Sequence, residues 1–222
     1  MLNIAIDGPA GAGKSTIAKL IAKKYDIIYL DTGAMYRGAA YFCMQNNVSP
    51  KDHREVERLL PKLDMDIIYE QGVQKVFVSK EDVTPNLREV AMSQAASDVS
   101  KIPSVRIKLV EIQREIASKR DCVLDGRDIG SYVLPNATIK FYLTADEKVR
   151  ANRRFLEYKE KGVETSEELV LKDMQARDAQ DTNRDFAPLK IVSDAIVIDS
   201  TDLTINEVIC KMSERIDGVI NS

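Results

Sequence analysis

The chain has 222 residues, of which 44% are hydrophobic, and its 32 Lys and Arg against 35 Asp and Glu give a net charge of −3 at pH 7. This composition supports a sizeable core and excludes a broad basic field of the kind that binds DNA or RNA. The apolar runs are too short to cross a membrane and no cleavable apolar leader precedes the first strand, so we expect a soluble, cytoplasmic protein.

Short apolar runs that are typical of buried strands recur along the chain. In order they cover residues 3–6, 27–30, 122–124, 139–143 and 195–198. Helical stretches flank most of them, and this alternation predicts an α/β protein whose parallel sheet is flanked by helices. The three cysteines, Cys43, Cys122 and Cys210, are widely spaced, and we expect them to be buried thiols rather than disulfide partners or zinc ligands.

The interval between the second and third runs has a different sequence pattern. It is about ninety residues long, too many for one crossover. Within it, the stretch Met65–Thr84 alternates around Gln71 and Gly72, as an antiparallel hairpin with a third strand would. We predict one domain, 1–222, with a core of about 1–58 and 105–222 and a small inserted antiparallel β subdomain at about 59–100.

A glycine loop follows the first run. Gly8, Gly13, Lys14 and Ser15 match the pattern G-x4-G-K-[ST], with an apolar strand before it and a helix after it. Such a loop turns its N–H groups into a nest for the tail of a triphosphate, Lys14 adds a point charge and Ser15 can ligate magnesium. We expect Lys14 to face solvent when no ligand is bound. The alternative is a plain turn between strand and helix, and the loop alone does not separate kinases, GTPase switches and ATP-driven machines.

Four further motifs follow the loop: Asp31–Arg37, Ser97–Arg106, Asp125–Gly130 and Arg177–Arg184. The first and third come directly after apolar runs, at the strand ends that open onto the ligand crevice of an α/β sheet. Together with the loop, and in this order, the motifs closely resemble those of the bacterial cytidylate kinases. The resemblance runs from Asn3 to about Leu203 and includes the inserted hairpin.

The resemblance implies a P-loop kinase core that transfers the γ-phosphoryl group of ATP to CMP or dCMP, with Mg2+ as cofactor and a monomeric protein. A nucleoside monophosphate kinase of broader specificity, such as a UMP/CMP enzyme of the shorter eukaryotic type, is the alternative, although that type lacks the hairpin. A GTP-dependent switch fits less well. The sequence contains no D-x-x-G, and its nearest approach to N/T-K-x-D lies at 79–82, inside the predicted hairpin.

The resemblance also assigns roles to individual residues. Those given to the ATP phosphates are Gly8, Pro9, Ala10, Gly11, Ala12, Gly13, Lys14, Ser15 and Thr16, and Ser15 would hold Mg2+ mostly through nucleotide and water. Those given to the acceptor are Arg37 and Arg127 for its phosphate, Thr32 and Tyr36 at its entrance, Ser97, Arg106 and Asp128 for the cytosine, Arg177 and Asp181 for the ribose, and Arg184 for the phosphates. The residues taken as catalytic are Lys14, Arg127, Arg154 and Arg184. The family often has serine where this chain has Thr32, a change that keeps the hydroxyl.

A helix rich in Arg and Lys follows the fourth run and ends near Gly162. Charge alone favours a solvated amphipathic face. The resemblance instead implies a lid at about 148–165 that carries Arg150, Arg153 and Arg154, with Arg150 contacting ATP, and that is mobile when the site is empty. Asp199–Thr201 more weakly resembles the family's adenine-side loop.

Several of these residues have simpler interpretations that the sequence leaves open. Asp128 could pair locally with Arg127, and Asp181 could pair with Arg177 one helical turn away, a contact worth only about 0.2–0.5 kcal/mol. Tyr36 could be a core aromatic side chain. Asp125 could orient the magnesium shell or simply cap a turn, and nothing in the sequence decides between the two.

Overall fold

The computed structural model describes residues 1–221. Its strands and helices, in chain order, are β1 (Asn3–Asp7), α1 (Lys14–Tyr25), β2 (Ile28–Asp31), α2 (Thr32–Gln45), α3 (His53–Leu59), β3 (Met65–Glu70), β4 (Val73–Val78), β5 (Glu81–Asp82), α4 (Val90–Val99), α5 (Pro103–Ala117), β6 (Cys122–Gly126), β7 (Ile139–Thr144), α6 (Glu147–Glu160), α7 (Glu167–Asn183), β8 (Ala195–Asp199) and α8 (Ile205–Ile220). They form two compact units. The first comprises Met1–Ile27 and the chain from Asp121 onward, and the second comprises Ile28–Arg120.

The first unit is built on parallel strands in the order β6-β1-β7-β8. Ile4 lies opposite Val123 on one side and Ile139 on the other, and Phe141 lies opposite Ile196. The helices α1 and α8 pack on this sheet and on each other. Because helices cover the sheet, β1, β6 and β7 are almost continuously buried, which explains the uninterrupted apolar runs and confirms the predicted α/β class.

The carboxyl ends of the central strands lie side by side. Asp7, the last residue of β1, lies opposite Gly126 of β6 and Tyr142 of β7. The segments that leave these strands therefore emerge at one edge of the sheet, and they include the glycine loop after β1 and the Asp125–Gly130 motif at the end of β6. A single π-helical turn, Ile129–Val133, follows that motif.

The helices α6 and α7 pack together against the glycine loop. A buried cluster of Ala10, Ala151, Val170 and Met174 joins the three segments, with Phe155, Tyr158 and Leu171 packed around it. Asp146 caps the start of α6 by accepting a hydrogen bond from the Lys148 N–H at 2.9 Å. After α6, Gly162 adopts a left-handed φ of 69°, which ends the helix in the manner expected of a C-terminal glycine.

The second unit contains a separate antiparallel sheet in the order β3-β4-β5. The turn between β3 and β4 is made by Gln71 and Gly72, with φ of 51° and 77°, as a tight hairpin turn requires. The predicted hairpin and its third strand are thus confirmed. The insert predicted at about 59–100 falls inside this unit, and its boundaries stay a prediction, as does the lid at about 148–165.

The prediction of three buried cysteines is wrong for one of them. Cys43 and Cys122 are buried, whereas Cys210 is exposed. Cys210 lies on α8 two residues after the buried Val208, which places the two side chains on roughly opposite faces of the helix. Among the helices of residues 1–221, none combines the length and the apolar composition that a membrane span requires.

Candidate active site

The glycine loop of the first unit has the backbone shape that its sequence predicts. Gly8, Gly11 and Gly13 have φ of 148°, 70° and 86°. A Cβ on Gly8 would collide with the backbone oxygen of Leu143 in β7, so the close approach of the two segments requires glycine. Gly13 is the N-cap of α1 and offers no side chain to cap the helix. The first turn of α1 therefore presents backbone N–H groups and the positive end of the helix dipole toward the loop.

Lys14 is buried, contrary to the expectation that it faces solvent without a ligand. Its side chain folds back over the loop, and Nζ donates a hydrogen bond to the backbone oxygen of Pro9 at 2.7 Å. Burial, and after it the charge of Arg127, lowers the pKa of Lys14 well below its usual range, while nearby carboxylates oppose this. An ammonium held in this way is stabilised by any anion that enters the loop.

Ser15 and Asp125 are in contact at the carboxyl edge of the sheet. The Ser15 hydroxyl donates a hydrogen bond to Oδ2 of Asp125 at 2.7 Å, and Asp125 is buried at the end of β6. The sequence left open whether Asp125 orients the magnesium shell or caps a turn, and this contact with a loop residue favours the first interpretation. Two oxygen-bearing side chains beside a phosphate nest are a suitable donor set for a hard cation such as Mg2+.

Asp7, which the sequence analysis did not single out, lies at the candidate site, directly before the glycine loop. Its buried carboxylate accepts hydrogen bonds from the N–H groups of Ile129 at 2.8 Å and Gly130 at 2.7 Å, and thereby ties the end of β1 to the segment after Asp128. Burial raises the pKa of Asp7 to about 6, and the two backbone hydrogen bonds only partly offset this. The sequence offered one indication of this position, because Asp7 is the last residue of an apolar strand and directly precedes Gly8.

Arginines and aspartates of α7 and of the segments that follow β6 and α7 form a network of ion pairs around the buried Asp128 and Asp181. Arg127 Nε lies 2.8 Å from Asp181 Oδ2, and Arg184 lies 3.3 Å from Asp128 and 3.7 Å from Asp181. Burial by itself would raise the pKa of Asp181, but Arg127, Arg177 and Arg184 together hold it below its usual range. The observed pairs link the segment after β6 to α7 and to the segment after α7. The two pairings considered from sequence, Asp128 with Arg127 and Asp181 with Arg177, would each join only residues that are close in the chain.

The three arginines assigned to the lid helix make different contacts. Arg150 is buried and donates to the backbone oxygen of Ala10 at 2.8 Å. Arg153 donates to the backbone oxygen of Ser200 at 2.7 Å and to its hydroxyl at 3.1 Å, which connects α6 to the Asp199–Thr201 loop.

Arg154 contacts only residues of its own helix in these pairs. It pairs with Glu157 at 2.8 Å, and its guanidinium lies 4.5 Å from the ring centre of Tyr158.

In the second unit, the predicted site residues lie on α2, α4 and α5. Thr32 is buried at the start of α2. Arg37 pairs at 3.0 Å with Asp31, which also caps this helix.

Arg106 is 2% exposed and its guanidinium lies 5.5 Å from the ring centre of Tyr36. Arg106 also donates to the backbone oxygen of Ser100 at 3.2 Å, and the nearby Ser97 is buried on α4. Tyr36 is only partly buried, and its ring serves as a platform for a cation.

The chain is similar to known proteins over nearly its whole length. The family model described as "Cytidylate kinase" matches residues 4–218. A curated cytidylate kinase of Caldicellulosiruptor bescii is 48% identical over 221 residues, covering 100% of this chain and 98% of the relative. A second, from Halalkalibacterium halodurans, is 48% identical and covers 93% of each chain. An uncharacterized protein from Eubacterium ventriosum, whose crystal structure is known, shares the fold with a TM-score of 0.51 at 17% identity, covering 98% of this chain and 99% of its own.

Proposed function

This chain belongs to the cytidylate kinase family, and we propose that it transfers the γ-phosphoryl group of ATP to CMP and dCMP, giving ADP with CDP or dCDP. The observation that carries the proposal is the glycine loop of the first unit, in which the buried Lys14 lies next to the Ser15–Asp125 contact. Phosphoryl transfer needs two anions held in line and positive charge around the group in transit. The loop supplies these conditions for the donor.

On the donor side, we assign the ATP phosphates to the loop residues from Gly8 to Thr16. Lys14 exchanges its hydrogen bond with Pro9 for the β- and γ-phosphate oxygens, because an anion compensates the buried charge better than one carbonyl does. The N–H groups at the start of α1 face the same phosphates. Together these groups stabilise the charge that develops on the transferred phosphoryl group, and they need little reorganisation to do so.

Mg2+ is the cation that we propose for this site. Ser15 and Asp125 would hold it, largely through nucleotide oxygens and water, since their side-chain oxygens already lie within 2.7 Å of each other. When bound, it neutralises charge on the β- and γ-phosphates. The part played by the chain itself is to hold Ser15 at the start of α1 and Asp125 at the end of β6, with their side-chain oxygens in contact.

On the acceptor side, both units contribute residues to the proposal. From the first unit, we assign Arg127 and Arg184 to the CMP phosphate, Asp128 to the cytosine, and Arg177 with Asp181 to the ribose. From the second, we assign Arg37 to the phosphate, Ser97 and Arg106 to the cytosine, and Thr32 and Tyr36 to the entrance. The ion pairs of Arg127 and Arg184 with Asp181 and Asp128 support these assignments, because they hold the side chains in place before a ligand arrives.

A coupled assay of ADP formation tests the proposal. The protein is incubated with ATP, Mg2+ and one of CMP, dCMP, UMP, AMP or GMP, and with ATP alone as the control. We expect turnover with CMP and dCMP well above that with UMP, little with the purines, and almost none with ATP alone. Equal use of UMP and CMP would favour the broader UMP/CMP specificity, and turnover independent of any monophosphate would contradict a kinase.

A further inference from the structure

A closed ring of three contacts surrounds Ala10 in the glycine loop. The Ala10 N–H donates to Oδ1 of Asp178 at 2.9 Å, and the Ala10 oxygen accepts from Nη1 of Arg150 at 2.8 Å. Arg150 Nη1 and Asp178 Oδ2 lie 2.6 Å apart and complete the ring. The ion pair between Arg150 on α6 and Asp178 on α7 therefore hydrogen-bonds both the N–H and the C=O of Ala10.

The ring is anchored to the sheet and largely withdrawn from water. Arg150 also donates from Nε to the backbone oxygen of Ala145, just after β7, at 3.0 Å. Its side chain is 6% exposed and that of Asp178 is 19% exposed. A Cβ on the neighbouring Gly11 would lie 3.0 Å from the backbone oxygen of Arg150 and 2.7 Å from the Met174 side chain. The loop, α6 and α7 are thus in close contact at this point.

Fixing Ala10 has a direct consequence for the next residue. In a planar trans peptide the N–H points opposite to the C=O, so a fixed Ala10 oxygen also fixes the direction of the Gly11 N–H. Gly8 and Gly11 on either side have φ values in the left-handed region and would otherwise be free to take other conformations. The ring therefore orders the part of the loop that has the greatest backbone freedom.

The charge of Asp178 needs a partner at this position. A lone carboxylate bonded to an anion-binding loop would repel the incoming phosphates. Arg150 lies against it, and the positive charge of Arg127 is close enough to interact with it. Because the charges of Asp178 and Arg150 largely cancel, the pair can order the loop without repelling the phosphates.

We infer that Asp178 is a positioning residue for ATP, which together with Arg150 holds the Ala10 and Gly11 peptides in the orientation that receives the phosphates. The inference rests on the proposed function and deepens it. It assigns to Arg150 an action on ATP through the loop. Asp178 itself lies within the Arg177–Arg184 motif, next to a residue assigned to the acceptor.

Isothermal titration of the protein with Mg-ATP, without any acceptor, tests the inference in Asp178→Asn. The amide still accepts from the Ala10 N–H but no longer pairs with the charge of Arg150. We expect ATP to bind about five- to tenfold more weakly, a difference of about 1–1.4 kcal/mol, while KM for CMP at saturating ATP changes less than twofold. Asp173→Asn is the matched control, because Asp173 is an exposed carboxylate on the same helix, and it should change neither value.

A double-mutant cycle with Arg150→Gln separates the ring from two independent contacts. If the residues act together, the double variant loses little more ATP affinity than either single variant, whereas additive losses would overturn the ring. ATP binding by Asp178→Asn that stays within twofold of the unchanged protein would overturn the inference, as would equal weakening of ATP and CMP. Thermal melting checks that each variant folds. Should Asp178→Asn not fold, Arg150→Lys, which keeps the charge and loses the fork, is expected to weaken ATP binding in the same selective way.

This measurement is independent of the acceptor. A protein that bound ATP but did not phosphorylate CMP would contradict the proposed function. The ratio of ATP affinities between Asp178→Asn and the unchanged protein would still decide the role of Asp178.

Discussion

The ammonium of Lys14 lies 2.7 Å from the backbone oxygen of Pro9, five residues earlier in the same loop. The contact keeps the side chain folded over the loop and almost completely buried. A single carbonyl is a poor substitute for water around a positive charge, so the resting position of Lys14 carries a desolvation cost. Phosphate oxygens entering the loop would remove that cost, because an anion compensates the buried charge better than one carbonyl does.

Replacing Lys14 with Met should separate activity from stability. We expect kcat/KM to fall by about two to three orders of magnitude, since the loss of one transition-state contact of this kind is commonly worth about 3–4 kcal/mol. The melting temperature should not fall, because Met fills a similar volume without a buried charge. Lys23→Met, on the exposed face of α1, is the control and should leave both values unchanged. Retention of more than about a tenth of the activity would contradict the assignment of the loop.

Asp7 should make stability depend on pH. Its pKa in the folded protein is about 6, against an ordinary value of 3.8. Because the folded pKa is the higher one, the unfolded chain releases this proton first, and the contribution of Asp7 to stability is present below about pH 4 and lost as the pH rises through 6. A difference of about 2 pKa units corresponds to about 3 kcal/mol.

Urea unfolding of Asp7→Asn and of the unchanged protein, between pH 4 and pH 7.5, measures this effect as a difference. We expect the free energy of unfolding of the variant to rise relative to that of the unchanged protein by about 2.5 kcal/mol over this range, since at pH 4 the unfolded chain has already lost part of this proton. The amide cannot accept from Ile129 and Gly130 as the two carboxylate oxygens do, but that cost does not vary with pH. A difference that stays constant with pH would contradict the perturbed titration of Asp7.

The lid prediction can be made specific to parts of α6. Arg150 and Arg153 attach the first half of the helix to Ala10 and Ser200, so we expect it to be protected from hydrogen exchange with or without ligands. The segment from Arg154 to Gly162 should exchange faster when empty and become protected when ATP and CMP analogues are both bound, as closure over the donor requires. Exchange measured by mass spectrometry in the two states checks this. Equal protection throughout would leave the second half of α6 as a solvated face.

Local signals in the sequence were sufficient to predict the parallel strands, the hairpin turn and the loop. Buried parallel strands are continuous apolar runs, and Gln71-Gly72 supplies the φ values that a tight turn needs. In the loop, close approach of other segments requires glycine at Gly8 and Gly11, and a φ of 86° favours it at Gly13. The helix α2 was not predicted, although Asp31 caps it. It contains Gly33 and Gly38, and a Cβ on Gly38 would lie 3.0 Å from both Met65 and Val76, so its glycine is selected by packing against the hairpin rather than by helix propensity.

The parts of the candidate site that sequence reasoning missed depend on contacts distant in the chain. Asp7 binds the backbone 122 and 123 residues later, and Asp178 binds the backbone of Ala10, 168 residues earlier. Neither contact has a local pattern. The burial of Lys14 was also missed, because the match to the loop pattern predicts the chemistry of the side chain with phosphate bound and not its position in the ligand-free protein.

The choice of base should depend on Asp128. Its carboxylate is buried and is held by Arg184 at 3.3 Å. Cytosine presents an amino donor beside a ring-nitrogen acceptor, which complement a carboxylate and a guanidinium or hydroxyl. Uracil reverses both, so in the same pose it would place a carbonyl against Asp128 and leave buried polar groups unpaired. We therefore expect kcat/KM for CMP and dCMP to exceed that for UMP by about 10²-fold or more, and AMP and GMP to be poorer still.

Two substitutions of Asp128 distinguish base recognition from a merely structural pair with Arg184. Asp128→Ala should lower kcat/KM for CMP strongly and change KM for ATP less than twofold, since the donor contacts lie on the glycine loop. Asp128→Asn keeps the shape and can donate to a carbonyl, so it should raise the use of UMP relative to CMP above that of the alanine variant. Melting temperatures of both variants show whether the fold survives the loss of a partner for Arg184. A CMP-to-UMP ratio that is the same in the unchanged protein and in both variants would mean that Asp128 does not read the base, because a loss of structure alone would lower both activities together and leave their ratio in place.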